Sequence, residues 1–386
     1  MPQPETIKIT FPREVIARCE GNQVELPAML LTTEKVGGGK PPASFDKFLE
    51  NAKTMGRWQA DTFLQQIKDG QGDGLGVQLN YDGIHVFWNL WKRFGDPVVK
   101  EYAEKILEAV VKYSIPPAGG APGAFNYNLG PWEVGNELAN DQYKDVALLF
   151  ALRSAYSAPW SVTYPDGWNE TYWGIPTLSR EIANATHSHL VARPYISRAE
   201  SLSTIGYALP IVACERKAFQ DQFITEAVNR FMLGVHIPAW IQCANDGTYW
   251  EDKWNWAPFM MGLTARAMIR YYDDPDFSQG KDQIVSKLAE LARVVWMKGF
   301  RQGDPYHGLL YRPLQQGGEP PAPDLSLIVF PWYAWLWKQT GDEFFRGCAI
   351  SLFESGTEWA WLYGFKQFNQ SYIWSFDGVR YMGWDT

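Results

Sequence analysis

The stretch Pro321–Phe345, PAPDLSLIVFPWYAWLWKQTGDEFF, decides how the chain is read. From Leu325 to Trp337 it is apolar or aromatic almost all round. A helix without a polar face has to be buried on every side. This one is too short and too interrupted to span a bilayer. Asp324 stands where an N-cap is expected, because its side chain can accept from open backbone N–H groups. The pattern stops at Gly341, and Asp342 begins another. The unit therefore reads as a cap, a buried helix, a tight turn and an amphipathic helix.

The unit recurs. Residues 256–277, WAPFMMGLTARAMIRYYDDPDF, and 81–98, YDGIHVFWNLWKRFGDPV, each place an apolar or aromatic helix before a turn at Asp-Pro or Gly-Asp-Pro. Repetition of this kind is the first signal to weigh, since it governs the whole fold. Buried helices alternating with amphipathic ones predict an all-α fold of two concentric layers.

Expected helices, with ends good to a few residues, are 45–68, 81–94, 97–113, 139–156, 176–191, 198–212, 219–233, 258–272, 283–296, 324–338, 343–353 and 369–381. Those at 81–94, 139–156, 258–272, 324–338 and 369–381 are read as buried. Turns out of buried helices are short, whereas connections into them (69–80, 114–138, 237–257, 297–323 and 357–369) are long and rich in Gly, Pro and Trp. Long loops gathered at one end of a scaffold are where function usually sits. Residues 5–35 differ: two alternating stretches flank Gly21-Asn22, which predicts a small β-element. Residues 1–44 are thus an N-terminal β-extension and linker, and 45–386 the helical domain.

The repeated hairpins ending in Gly-Asp or Asp-Pro, and stretches such as PFMMGLTARAMIRYY (258–272), resemble the six-hairpin (α/α)6-toroid enzymes that act on carbohydrates. That group includes glycoside hydrolases, polysaccharide lyases and sugar epimerases. The resemblance covers 45–386, is carried by scaffold features, and implies a sugar-binding funnel on the long-loop face.

Composition bounds the function. Hydrophobic residues make up 46% of 386, with 19 Trp, 19 Tyr and 21 Phe. Much of this aromatic content builds a core, but flat rings also stack on the C–H faces of sugars. The net charge of −8 and the lack of a Lys/Arg-rich run argue against nucleic acid. No apolar run is long enough for a membrane span. The start, MPQPETIKIT, carries no signal-peptide pattern. Cys19, Cys214, Cys243 and Cys348 fit no zinc or redox spacing. No metal or cofactor is expected.

Four places could carry chemistry. Asp82, with Tyr81, opens the first buried helix, where the dipole and open N–H groups suit a general base or simply a cap. His85, one turn on, faces the same side and reads as a core histidine. Glu133 follows Trp132 in the long loop 114–138, and a carboxyl beside an indole can be held neutral as a general acid. Otherwise Glu137 and Asn136 only start a helix. Residues 247–256, GTYWEDKWNW, set Glu251 and Asp252 among Trp250, Trp254 and Trp256, rings fit to stack on a pyranose or to form a solvated rim. Lys366, Gln367 and Asn369, with Tyr372, open the last buried helix and suit sugar hydroxyls or a cap.

The expected activity is glycoside hydrolysis of an oligo- or polysaccharide, with Asp82 as base and Glu251, Asp252 or Glu133 as acid. These residues should converge with Asn369 on one cavity. Two alternatives stay open. Glu181, His187, His189, Arg193, Tyr195 and Arg198 offer the Tyr/His/Arg chemistry of a uronate lyase. A non-catalytic glycan-binding or virion-type structural protein is the other.

Overall fold

A computed structural model describes residues 39–71, 81–114, 129–144, 160–163, 169–172, 258–275, 277–303, 306–311 and 320–384, with a few isolated positions between 147 and 241. The described part is mostly helical. The elements in chain order are α1 (Phe45–Lys68), α2 (Gly83–Phe94), α3 (Pro97–Ser114), α4 (Leu129–Glu137), β1 (Trp160–Thr163), β2 (Asn169–Tyr172), α5 (Pro258–Asp273), α6 (Lys281–Gly299), β3 (Phe300–Gln302), β4 (His307–Leu309), α7 (Ser326–Thr340), α8 (Glu343–Trp359), α9 (Phe365–Tyr372) and α10 (Ser375–Tyr381). The β-element expected at 5–35 lies outside the described residues. No described helix is long and apolar enough to cross a membrane.

Packing divides the chain into two compact units. Of the described residues, one unit holds 160–298. In it β1 and β2 pair antiparallel, with Trp160 opposite Tyr172. Helix α5 is buried along nearly its whole length, as its lack of a polar face demands. A turn through Asp274 leads to α6, where Lys281 Nζ donates to the Asp274 carbonyl at 2.6 Å and Tyr271 stacks on Phe277. The buried face of α6 is Ile284, Leu288, Leu291, Ala292 and Val295, the spacing of an amphipathic helix.

The second unit holds the described residues of 39–147, 299–311 and 320–384. Helix α7 is buried on all sides from Ser326 to Trp337, as the sequence requires. Pro331 sits inside it and has no N–H to give to the Leu327 carbonyl four residues back. The neighbouring carbonyl, Ile328 O, accepts from the Trp374 indole at 2.6 Å. Gly341 ends α7 in the left-handed conformation (φ 67°), and the Asp342 side chain caps α8 by accepting from Phe344 N at 2.9 Å. Amphipathic α8 then returns along α7. The pair α2–α3 repeats the plan, with left-handed Gly95 (φ 71°) ending α2 and Asp96 accepting from Val98 N at 2.9 Å. Helix α9 lies against both α2 and the turn before α7, and α1 against α3 and α8.

Several expectations need correction. Asp324 does not cap α7: it lies in a 3-10 turn, Pro323–Leu325, and α7 starts without a side-chain cap. The last buried helix is broken at Ile373–Trp374 into α9 and α10. The connection 114–138 contains a helix, α4, and 297–323 contains a hairpin, β3–β4, in register Phe300 to Leu309. Of the cysteines only Cys348 is described, and it is buried on α8.

Phe48 of α1 joins the start of this unit to its end. Its ring lies 5.0 Å from Phe353, 5.3 Å from Tyr372 and 5.2 Å from Phe376, and its carbonyl accepts from the Tyr372 hydroxyl. Phe48→Ala is expected to destabilise the protein by about 3–5 kcal/mol, since both transfer energy and contacts are lost. Urea unfolding checks this; a change under about 1 kcal/mol would mean the ring is not held in a fixed core.

Candidate functional site

Helices α2 and α4 run parallel, held by side chains at three levels. At the first, Asp82 is the N-cap of α2 and accepts from His85 N at 3.2 Å. The same carboxylate accepts from Gly130 N, in the first turn of α4, at 3.0 Å. At the second, His85 Nδ1 meets Glu133 Oε2 at 2.6 Å. At the third, Glu137 accepts from the Trp88 indole at 2.9 Å and from Lys92 Nζ at 2.5 Å. Positions 85, 88/89 and 92 share one face of α2, and 130, 133 and 137 share one face of α4, so the ladder follows from helix periodicity.

The close approach depends on Gly130. A Cβ there would lie 2.6 Å from both Asp82 Oδ1 and His85 N and 2.7 Å from Ile84 Cβ, so no larger residue fits without moving backbone. Gly130, Pro131 and Gly135 are poor helix formers, and the helix exists because tertiary contacts override propensity.

The entry to α2 is strained. Tyr81 (φ 53°) and Asp82 (φ 52°) are consecutive non-glycine residues in the left-handed region. Each costs of the order of 1–3 kcal/mol, and such outliers gather at functional sites. The strain turns the Asp82 carboxylate inward to both helix starts, where it is only 2% exposed.

Glu133 is the partly accessible carboxylate that meets the imidazole, whereas Glu137, which is also accessible, is held by Trp88 and Lys92. The Glu133 side chain is 30% exposed, against 8% for His85. Asn89 also lies against His85: its Nδ2 donates to the His85 carbonyl at 2.9 Å and is 3.1 Å from Nδ1 and 3.3 Å from Nε2. A carboxylate fixed by a nearly buried imidazole, at a strained helix entry, can take up or release a proton at a set position.

Asp82, Glu133, Tyr81 and Trp132 are thus brought together. Asp82 spends its carboxylate on backbone N–H groups of two helices, and Tyr81 and Trp132 are both buried. Lys366, Gln367, Asn369 and Tyr372 lie on α9. Asn369 and Tyr372 face the core, and Tyr372 points its hydroxyl at Phe48 O. Gln367 faces a cleft on the same unit. Glu251, Asp252, Trp250, Trp254 and Trp256 lie outside the described residues, as do Glu181, His187, His189, Arg193, Tyr195 and Arg198. Among the described residues no group of three or more His, Cys, Asp or Glu side chains is placed to hold a metal ion.

Sequence reasoning set His85 aside as a core residue and missed Asn89 and the Glu137 level. The i,i+3 and i,i+4 spacing of Asp82, His85 and Asn89 was the available signal. The cross-helix partners of Asp82, His85 and Trp88 are 48 or 49 residues away, which no local pattern reports.

No family model matches the chain, and no curated protein matches it. Among solved structures, the chain is similar in fold to a D-mannose isomerase crystal structure, with a TM-score of 0.52 and 12% sequence identity over 89% of this chain and all of that one.

Proposed function

We propose that this protein is a carbohydrate-active enzyme built on an (α/α)6 toroid, in which Glu133, held by His85, moves a proton on a sugar substrate. The observation that carries this reading is the 2.6 Å Glu133–His85 contact beside the strained Tyr81–Asp82 turn. The fold likeness to a D-mannose isomerase, across most of both chains, supports the ring architecture and a sugar substrate.

Aldose–ketose isomerisation is the reaction these residues suit best. A base removes the proton on C2 of an open-chain aldose, and the same group returns a proton to C1. The hydroxyl hydrogen leaves O2 and one is gained at O1, so nothing is oxidised overall and no co-reactant is consumed. One accessible carboxylate beside an imidazole is enough for this. Asp82 and Asn89 act as positioning residues, the first holding the two helix starts together and the second lying against the imidazole.

Glycoside hydrolysis is the second reading, favoured by the exposure of Glu133 and by its neighbour Trp132. It needs another carboxyl group at roughly 5–9.5 Å. With Asp82 bound to backbone N–H groups, Glu251 or Asp252 would have to supply it, on an oligo- or polysaccharide substrate.

Incubation with D-mannose in D2O separates the two. Isomerisation gives a ketose and deuterium on carbon; hydrolysis gives new reducing ends from an oligosaccharide panel and none of that exchange. Glu133→Gln should lower whichever rate is found by about a hundredfold or more. Neither product, or full activity in Glu133→Gln, would overturn the proposal.

The clamp makes a separate prediction. Gly130→Ala pushes a methyl group into Asp82 and the backbone of His85, so stability should fall by about 1–3 kcal/mol. The Glu133–His85 pair moves with it, and kcat should drop at temperatures where the variant is still folded by circular dichroism.

A further inference from the structure

On the second unit a cleft of about 300 Å³ opens between the Leu310–Pro321 bridge, the 3-10 turn before α7 and the start of α9. Tyr311, Pro321, Asp324, Gln367 and Gln370 line it. This is the lower end of ligand-sized cavities.

Asp324 is the unusual member. It neither caps α7 nor pairs with a Lys or Arg among the described residues. Its carboxylate accepts from Trp361 N, and its carbonyl accepts from Gln370 Nε2 at 2.8 Å, so two neighbouring segments fix it in place. Burial pushes its carboxyl above the ordinary carboxylate value, an effect the Trp361 N–H only partly offsets. Among the described residues no cation offsets the cost of this half-buried carboxylate.

The groups beside it are just as specific. Trp361, whose backbone holds Asp324, is 54% exposed. A Cβ on Gly364 would lie 2.3 Å from Gln367 Oε1 and 3.1 Å from Trp361 Cζ3, so the amide and the indole crowd against the same piece of backbone. No hydrogen bond to another described residue occupies the Gln367 amide. Tyr311 is exposed across the cleft. A carboxylate, an open amide and the Tyr311 ring line one small cleft, with the exposed Trp361 indole next to Gln367 beside it, an amphipathic arrangement: polar groups for vicinal hydroxyls and rings for C–H faces. The negative charge disfavours uronates.

We infer that this cleft binds one neutral hexose unit of a glycan, with its hydroxyls on Asp324 and Gln367 and its C–H face on Trp361. The class of ligand rests on the sugar-active reading above; the location does not.

The test is calorimetric titration of the full chain carrying Glu133→Gln, so that turnover cannot remove the ligand. The probes are D-mannose, mannohexaose, cellohexaose and maltohexaose. At least one probe should bind, and Trp361→Ala and Gln367→Ala should each weaken it by about tenfold or more. Asp324→Asn keeps an acceptor for Trp361 N and should also weaken binding. It carries a second signature. Because the folded state raises the Asp324 pKa, ionisation costs stability as pH rises above the ordinary carboxylate value. Asp324→Asn should therefore melt higher than its parent at neutral pH, with the gain gone near pH 3, where both carry no charge. A merely structural Asp324 would give lower stability on substitution. Absence of binding by every probe, or binding unchanged in Trp361→Ala and Gln367→Ala, overturns the inference even if the wild-type enzyme turns over sugar. Binding lost in these variants, with no turnover by the wild type, would sustain the cleft and sink the catalytic reading instead.

Discussion

The Asp82 carboxylate is shared by the first turns of two helices, and the geometry of the site depends on that sharing. Two parallel helices bring their positive ends side by side, which is unfavourable unless a negative group lies between them. Asp82 is that group. It is placed there only because Tyr81 and Asp82 accept a left-handed backbone and because Gly130 has no side chain. Once the starts are fixed, helical periodicity sets His85 opposite Glu133 and Trp88 and Lys92 opposite Glu137. Glu133 is thus aimed by a device nearly two turns long.

The two clusters of the second unit use carboxylates in contrasting ways. Asp82 is surrounded by donors from its own fold and has little left to offer a ligand. Asp324 is held by a single backbone N–H and one carbonyl contact, and it faces a cleft. Both stand just before a buried helix in the sequence, and both invite the same reading as a cap. What separates them is whether a second helix starts close enough to claim the oxygens.

Much of the fold was legible. The absence of a polar face in 325–337 and the near absence of one in 258–272 gave burial directly, and Gly95 and Gly341 marked helix ends through the left-handed conformation they adopt. Helix α4 was not legible, because Gly130, Pro131 and Gly135 speak for a loop until the packing against α2 is known. The break at Ile373–Trp374 was hidden for a similar reason. Trp374 leaves the helical path to donate to Ile328 O on another helix, 46 residues away. Glu133 could be picked out by type and neighbourhood, but its imidazole partner could not, since the pairing crosses 48 residues.

The aromatic seam around Phe48 bears on how the chain is made. Phe48 waits for Tyr372, 324 residues later, and Phe45 lies 6.1 Å from Trp384. Helix α1 leaves the ribosome long before the rings that cover its apolar face exist. Closure across such a separation is slow, and the exposed face is a hazard while it lasts. The order of synthesis therefore runs against the order of burial, and α1 is the segment a chaperone would have most reason to hold until α10 has emerged.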